Sequence, residues 1–384
     1  MYDILINGNG FKAIYLALFL RKRFKNKSIA IKYSGTFGGI FNSIELENHF
    51  LDIGCHLFDY TDSRFLELLE IDISKVIPVK LKYASINDKK LTKDYGIYDF
   101  RTCKSFFTTL KKNFFKEKNV KKNEISLLNH FYNRHGPLVS QIINQFSVKI
   151  TGKTLDQLDK RSHEFFLFKR ILMFDNKKSL KLKKNGYDDI LAAQSKSVHN
   201  YKKKFINFTF KNGNKGFLNH IIEILEKRKI ELTSDKTQGD EVYNVNFDKN
   251  SSLKKYSVDV PLHLCYFLSK SFPYTYLHDY STNPIFRVSS PGHYTKQLKK
   301  GRGYLCLEIP DPHEIFDKET IIELSQEYLK QYCKVDFFHY VFSKKSYSSI
   351  FLKNNEILEK NTLNPYLYSK QSIMDEIENF KYEK

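Results

Sequence analysis

The opening of the chain decides its fold, and it reads MYDILINGNGFKAIYLALFLRKRFKNKSIAIKY (residues 1–33). Asp3–Ile6 is a short apolar run typical of a buried strand. Phe11–Phe24 repeats apolar residues at intervals of three and four, which predicts a helix, and Ser28–Tyr33 predicts a second strand. The glycines of Asn7–Gly10 predict a tight turn before the helix. The sequence therefore predicts a β-α-β unit at its start.

The turn between the first strand and the helix has the spacing Gly8-x-Gly10-x-x-Ala13. In this pattern the first glycine permits the tight turn, the second lets a pyrophosphate approach the backbone, and the small third residue lets helix and strand pack closely. The N-terminus of the helix attracts phosphate charge. The pattern predicts a Rossmann-type dinucleotide site, the alternative being a glycine turn without a ligand. Lys32 stands where an acidic residue usually holds the adenosine ribose, although its ammonium could contact a phosphate.

Two more motifs follow, namely Gly38-Gly39-x-x-x-Ser43 and Asp52-x-Gly54-x-His56-x-Phe58. Together with the opening turn they resemble the flavin-dependent amine oxidase and protoporphyrinogen oxidase superfamily. Within it, Gly54–Phe58 looks most like the corresponding segment of UDP-galactopyranose mutases. Weaker likeness continues along the chain, where Lys215-Gly216-Phe217 resembles a second glycine turn before a flavin-domain helix and Phe286–Ser289 resembles a substrate-sheet strand.

The resemblance implies that the protein binds FAD and acts on a small molecule. The implied cofactor-binding residues are Gly8, Gly10, Ala13, Lys32, Gly38, Gly39, Ser43, Gly54 and His56. His56 would lie near the flavin ring, and Arg287 on the substrate sheet would face an anionic substrate, since a guanidinium holds phosphate in a fork. These two are the candidate catalytic residues. The alternatives are a structural histidine at His56 and an ion pair at Arg287.

The predicted fold class is α/β, with a Rossmann-type FAD-binding domain and a second domain, helical and β-sheet, for the substrate. We predict that the FAD-binding domain is discontinuous and comprises residues 1–62, 205–260 and 345–384. The substrate domain would comprise residues 63–204, expected to be mostly helical with a few short strands such as Lys80–Ala84, and residues 261–344. Alternating apolar and polar residues predict strands at Ser257–Tyr266, Pro284–Ser290 and Tyr304–Ile309.

Charge and cysteine usage narrow the class of protein. The net charge is +20, but only ten of the 63 basic residues are Arg and the lysines are scattered, which favours a solvated surface over nucleic-acid binding. Attraction to an anionic nucleotide-sugar or to lipid head groups remains the alternative. The five cysteines form no C-x-x-C pair, so neither a metal site nor a disulfide framework is indicated. With no apolar run long enough for a membrane span and no signal peptide, we expect a cytoplasmic protein.

These observations predict an FAD-dependent oxidoreductase-like protein of the amine oxidase superfamily, with a mutase (isomerase) acting on a nucleotide-sugar or glycan precursor as the finer hypothesis. One alternative is a simple flavin oxidase or dehydrogenase acting on an amine or apolar substrate. Another is a non-catalytic protein that keeps the fold and serves as a partner in glycan or envelope synthesis. Members of the resembled superfamily typically carry a Gly-Arg-x-Gly segment late in the chain, where it meets the flavin. The matching region here, Leu363–Tyr368, lacks Gly-Arg, and Lys32 replaces the usual acidic residue. Both departures favour the non-catalytic hypothesis.

Overall fold

The protein is described from a computed structural model, which covers residues 1–46, 49–54, 57–59, 63–87, 90–93, 98–99, 126–164, 172, 174–184, 207–234, 237–245, 257–293, 295, 303–345, 352, 363, 370–380 and 382. Within these residues the helices are α1 (Phe11–Arg23), α2 (Ser63–Leu68), α3 (Leu127–His135), α4 (Pro137–Thr151), α5 (Asn176–Lys184), α6 (Gly213–Lys227), α7 (Lys318–Lys330) and α8 (Lys370–Asn379). None of these helices is long and apolar enough to cross a membrane.

The strands of the described part are β1 (Tyr2–Asn7), β2 (Ile29–Lys32), β3 (Ser43–Leu46), β4 (His49–Asp52), β5 (Phe58–Asp59), β6 (Ile77–Val79), β7 (Tyr83–Asn87), β8 (Lys90–Thr92), β9 (Asn207–Thr209), β10 (Ile230–Thr233), β11 (Gly239–Asn244), β12 (Pro261–Ser269), β13 (Tyr276–Asp279), β14 (Arg287–Ser289), β15 (Gly303–Pro310) and β16 (Val335–Lys345). They form two large sheets and two small ones.

The first large sheet is parallel and contains the opening of the chain. Its strand order is β10-β2-β1-β11, and Ile4 of β1 pairs with Ile29 of β2. Ile4, Ile6 and Ile31 are fully buried, as expected for parallel strands covered on both faces. The predicted β-α-β unit is confirmed, with α1 ending one residue before its predicted end.

The second large sheet has seven strands in the order β16-β12-β15-β14-β13-β7-β8. Its pairs are antiparallel except for β13 and β7. The strands predicted between residues 257 and 309 lie in this sheet, with boundaries shifted by a few residues. The hairpin β7–β8 lies in the region expected to be mostly helical, and its alternation of Tyr83, Ser85 and Asn87 on one face with Ala84 and Ile86 on the other fits a strand.

The two large sheets meet through the hairpin β3–β4. Leu51 of β4 packs in one apolar cluster with Tyr266 and Tyr304 of the seven-stranded sheet. On the other side, α1, α6 and α8 contribute to the core of the parallel sheet. Phe65 and Leu68 of α2 pack in that core as well. The discontinuous division into an FAD-binding and a substrate domain remains a prediction.

Candidate cofactor and substrate site

The glycine turn at the start of α1 has the properties of an anion site. Gly10 is the N-cap residue, no side chain caps the helix, and its first turn carries no acidic residue. The first backbone N–H groups of a helix lack intrahelical partners and carry partial positive charge. A Cβ atom placed on Gly10 would meet no atom within 4 Å, so there is space beside the turn. The Gly8 N–H donates to the Lys32 carbonyl at 2.9 Å, which ties the turn to the end of β2.

The loop after β2 folds back onto this turn. The Gly38 N–H donates to the Asn9 carbonyl at 2.6 Å. Gly38 and Gly39 both have left-handed backbone conformations, with φ of 108° and 58°. A Cβ on Gly39 would lie 3.3 Å from the Gly10 Cα, so a side chain there would crowd the turn. Two glycines therefore permit the close approach of the loop to the anion site.

The other residues predicted to bind the cofactor are distributed around this turn. Ala13 is fully buried in α1, and Lys32 ends β2 beside the turn. Ser43 begins β3, and its hydroxyl donates to the Asp52 carboxylate at 2.9 Å. Gly54 is buried in a left-handed conformation with φ of 73°. His56 lies outside the described residues.

Asp52 is a central residue that the sequence analysis did not single out by itself. Its carboxylate accepts the Asn214 N–H at 2.9 Å, at the start of α6. Its backbone carbonyl accepts the Tyr266 hydroxyl at 2.7 Å. A Cβ on Gly213 would lie 2.4 Å from Asp52 Oδ2, so only glycine fits there, and Gly213 has a left-handed φ of 61°. The carboxylate and the backbone carbonyl of one buried residue thus join the hairpin β3–β4, helix α6 and the seven-stranded sheet.

Burial raises the pKa of Asp52 to about 7, an effect that the hydrogen bonds from Asn214 and Ser43 partly offset. In the unfolded chain its pKa is near 3.8. The folded state therefore binds a proton that the unfolded state releases between these values, so the contribution of Asp52 to stability is full below pH 3.8 and is lost as the pH rises through 7. Three pKa units correspond to about 4 kcal/mol at most.

We expect Asp52→Asn to flatten this dependence, because the amide can still accept both hydrogen bonds but does not titrate. Urea unfolding of the wild type and Asp52→Asn between pH 4 and pH 8 measures the effect. The wild type should lose more stability across this range than the variant does. Parallel pH profiles of the two proteins would contradict the raised pKa.

The face of the seven-stranded sheet that carries Tyr266 is also rich in polar groups. Arg287 of β14 is opposite Glu308 of β15, and its Nε donates to Glu308 Oε1 at 2.9 Å. The Arg287 guanidinium carbon lies 5.6 Å from the centre of the Tyr276 ring. Of the two roles considered for Arg287 from the sequence, the structure shows the ion pair. Binding of an anionic substrate by this residue remains a prediction.

His278 lies next to this ion pair and was not predicted from the sequence. It is opposite Arg287 in the antiparallel pair β13–β14 and only 5% exposed. Its ring stacks between Tyr276 and Tyr280, and neither ring nitrogen has a hydrogen-bond partner among the described residues. Burial, and secondarily the charge of Arg287, lower its pKa to about 3. The imidazole is therefore neutral near physiological pH. No local sequence signal identified it, because its surroundings come from separate strands.

Comparisons by sequence give no match to a protein-family model or to a curated protein. Solved structures do match. A reduced UDP-galactopyranose mutase superposes with a TM-score of 0.64 over 91% of this chain and 83% of its own, at 13% identity. A protoporphyrinogen oxidase homologue from Exiguobacterium sp. 255-15 superposes with a TM-score of 0.59 over 90% of this chain and 87% of its own, at 10% identity. Cyclohexylamine oxidase from Brevibacterium oxydans IH-35A superposes with a TM-score of 0.56 over 92% of this chain and 88% of its own, at 10% identity.

These likenesses establish the fold. The chain has the mixed α/β fold of these three proteins, so the predicted fold class is confirmed.

Proposed function

We propose that this chain, with the fold of FAD-dependent oxidoreductases, binds FAD and acts as a mutase on a nucleotide-sugar or a related glycan precursor. The observation that carries the cofactor assignment is the open space beside Gly10 at an uncapped helix N-terminus. A pyrophosphate fits such a site, because backbone N–H groups and the helix dipole both favour negative charge.

The residues of the turn fit the pyrophosphate better than the ribose. Gly8 and Gly10 would let the phosphates approach the backbone, and the loop at Gly38–Gly39 would lie against the same ligand. Lys32 offers an ammonium where a carboxylate would usually accept the ribose hydroxyl hydrogen bonds, so the adenosine end would be held differently. When bound, the flavin supplies the electron chemistry, and the protein binds, orients and shields the reactants.

The substrate would lie on the face of the seven-stranded sheet that carries Arg287, because Tyr266 of this same face contacts the hairpin that follows the cofactor loop. We propose that His56 lies on the cofactor side of the same site. The net charge of +20 suits a nucleotide-sugar, which is anionic. The free thiols of Cys265, Cys306 and Cys333 suit the reducing cytoplasm, where we expect the protein to act.

The test compares two activities of one preparation. Purified protein is saturated with FAD and reduced with dithionite, and UDP-galactopyranose is added under nitrogen. We expect chromatography to show conversion to an isomeric nucleotide-sugar. In parallel, the oxidised protein is given putrescine or cyclohexylamine in air, and hydrogen peroxide is measured. Peroxide formation without isomerisation would identify an amine oxidase instead, and a colourless protein that retains no flavin would support the non-catalytic alternative.

A further inference from the structure

We infer that Ser85, Asn87 and His278 form a subsite that receives an uncharged, hydroxyl-bearing part of the substrate. This inference rests on the proposed function in one respect, namely that a substrate lies on this face of the seven-stranded sheet. It adds which side chains recognise the substrate there and which chemical class of group they accept.

The first observation is a set of buried polar atoms without partners. His278 is 5% exposed and Asn87 is 1% exposed, yet both imidazole nitrogens and the Asn87 Oδ1 lack hydrogen bonds to any residue that the structure describes. Buried side-chain polar atoms are paired in the large majority of cases, because an unpaired one loses its water without compensation. Three unpaired atoms on neighbouring strands are therefore better explained by a ligand than by packing.

The three residues lie together on one face. His278 of β13 is opposite Ser85 in the parallel pair with β7, and Asn87 follows two positions later on the same face of β7. The Asn87 amide donates to the Ser85 hydroxyl at 3.3 Å, which orients its oxygen as an acceptor. A neutral imidazole offers one donor and one acceptor. The subsite thus presents one donor and two acceptors.

The charged residues around the subsite favour the binding of an uncharged part of the substrate. Arg287, the cation opposite His278 in the sheet register, is already paired with Glu308, so a phosphate that approached it would have to compete with a buried carboxylate. An ammonium would meet the same difficulty, since Glu308 is held by Arg287. The burial that lowers the pKa of His278 keeps the imidazole uncharged. A hydroxyl group, which both donates and accepts, matches the unpaired atoms without adding charge.

The rings beside the subsite suit a compact cyclic ligand. Tyr276 and His278 are nearly parallel, with centroids 6.2 Å apart and planes at 22°. His278 and Tyr280 continue the row at 6.1 Å and 12°. Such a row offers apolar ring surface beside the unpaired polar atoms, and a sugar ring has apolar C–H faces and hydroxyl edges. We therefore use galactose as the probe, with inorganic phosphate and putrescine as the anionic and cationic comparisons.

The experiment uses the full chain as purified with its bound cofactor. His278→Phe keeps a ring between Tyr276 and Tyr280 but removes both nitrogens. Saturation-transfer difference NMR measures galactose binding, and phosphate and putrescine are tested as competitors that reduce the galactose signal. Thermal unfolding without ligand measures Tm. We expect galactose to bind the wild type in preference to phosphate and putrescine. We expect His278→Phe to weaken binding at least about tenfold, the scale for losing a hydrogen bond to a buried group. We also expect its Tm to rise, because two unpaired buried atoms are lost.

His220→Phe is the matched control, because His220 Nε2 is hydrogen-bonded to the Leu69 carbonyl at 2.8 Å in another part of the fold. This variant should lower Tm and leave galactose binding unchanged. Asn87→Leu should repeat the effect of His278→Phe. A lower Tm for His278→Phe, galactose binding that survives both substitutions, or preference for phosphate or putrescine would overturn the subsite.

The two proposals fail in different ways. Flavin-containing protein that binds no galactose removes the subsite and leaves the cofactor assignment. Colourless protein that binds galactose through His278 leaves the subsite and removes the flavin-dependent function.

Discussion

Gly10→Val is expected to leave the protein folded and to abolish its binding of FAD. Gly10 has φ of −122°, which valine adopts readily, and a Cβ there meets no atom within 4 Å. The fold therefore has no need of glycine at this position, whereas a branched side chain would occupy the space of the pyrophosphate. We expect flavin occupancy, read from the visible absorption of the purified protein, to fall at least about tenfold, while the circular dichroism melting curve is unchanged.

Lys318→Val is the matched control, because Lys318 is the first residue of α7, a helix whose N-terminus is capped by Asp317 and which lies on the seven-stranded sheet. It introduces the same side chain at a helix start and should not change the flavin content. If a folded Gly10→Val protein carries as much flavin as the wild type, the turn is not the pyrophosphate site.

Arg287→Ala is expected to cost about 3–5 kcal/mol of unfolding free energy, the range for removing one partner of a buried ion pair. The Glu308 side chain is only 5% exposed and would be left buried without its cation. Loss of the contact between the guanidinium and the Tyr276 ring adds to the effect. Equilibrium unfolding in urea at neutral pH measures the change.

The double variant Arg287→Met with Glu308→Leu separates the two causes. It removes both charges and replaces them with apolar groups of similar volume, so most of the lost stability should return. A double variant as unstable as Arg287→Ala would show that ring packing, rather than the unpaired carboxylate, dominates. If Arg287→Ala has the same unfolding free energy as the wild type, the ion pair does not stabilise the fold and Arg287 is available to a substrate.

Local patterns predicted the parts of the fold that are local. The β-α-β opening follows from apolar spacing and a glycine turn within residues 1–33, and α1 begins at the predicted residue. The alternation of apolar and polar residues predicted β12, β14 and β15 with shifted boundaries, whereas β13 was not predicted. Only Tyr83 and Ala84 of β7 fall within the short strand predicted at Lys80–Ala84, because β7 lies in a Lys-rich region and becomes part of the sheet only by pairing with β13, almost two hundred residues later in the chain.

The candidate site was predicted only where it coincides with a motif. The glycine turn could be read from the sequence, but the contact between Asp52 and Asn214 joins residues 162 positions apart. His278 looks like an ordinary strand residue until its burial and its lack of partners are seen in three dimensions. The expected proximity of His56 to Arg287 also depends on the tertiary fold, and it remains a prediction because His56 lies outside the described residues.

The position of Asp52 has a consequence for how this protein can diverge. Its carboxylate requires glycine at position 213, and its backbone carbonyl receives the hydroxyl of Tyr266. These three residues come from separate thirds of the gene, so they must be inherited as a set. Recombination with a distant homologue that exchanges only the first segment would combine mismatched partners. Crossovers are therefore best tolerated where Asp52, Gly213 and Tyr266 all come from one parent. Selection should remove single substitutions at Gly213 most strongly.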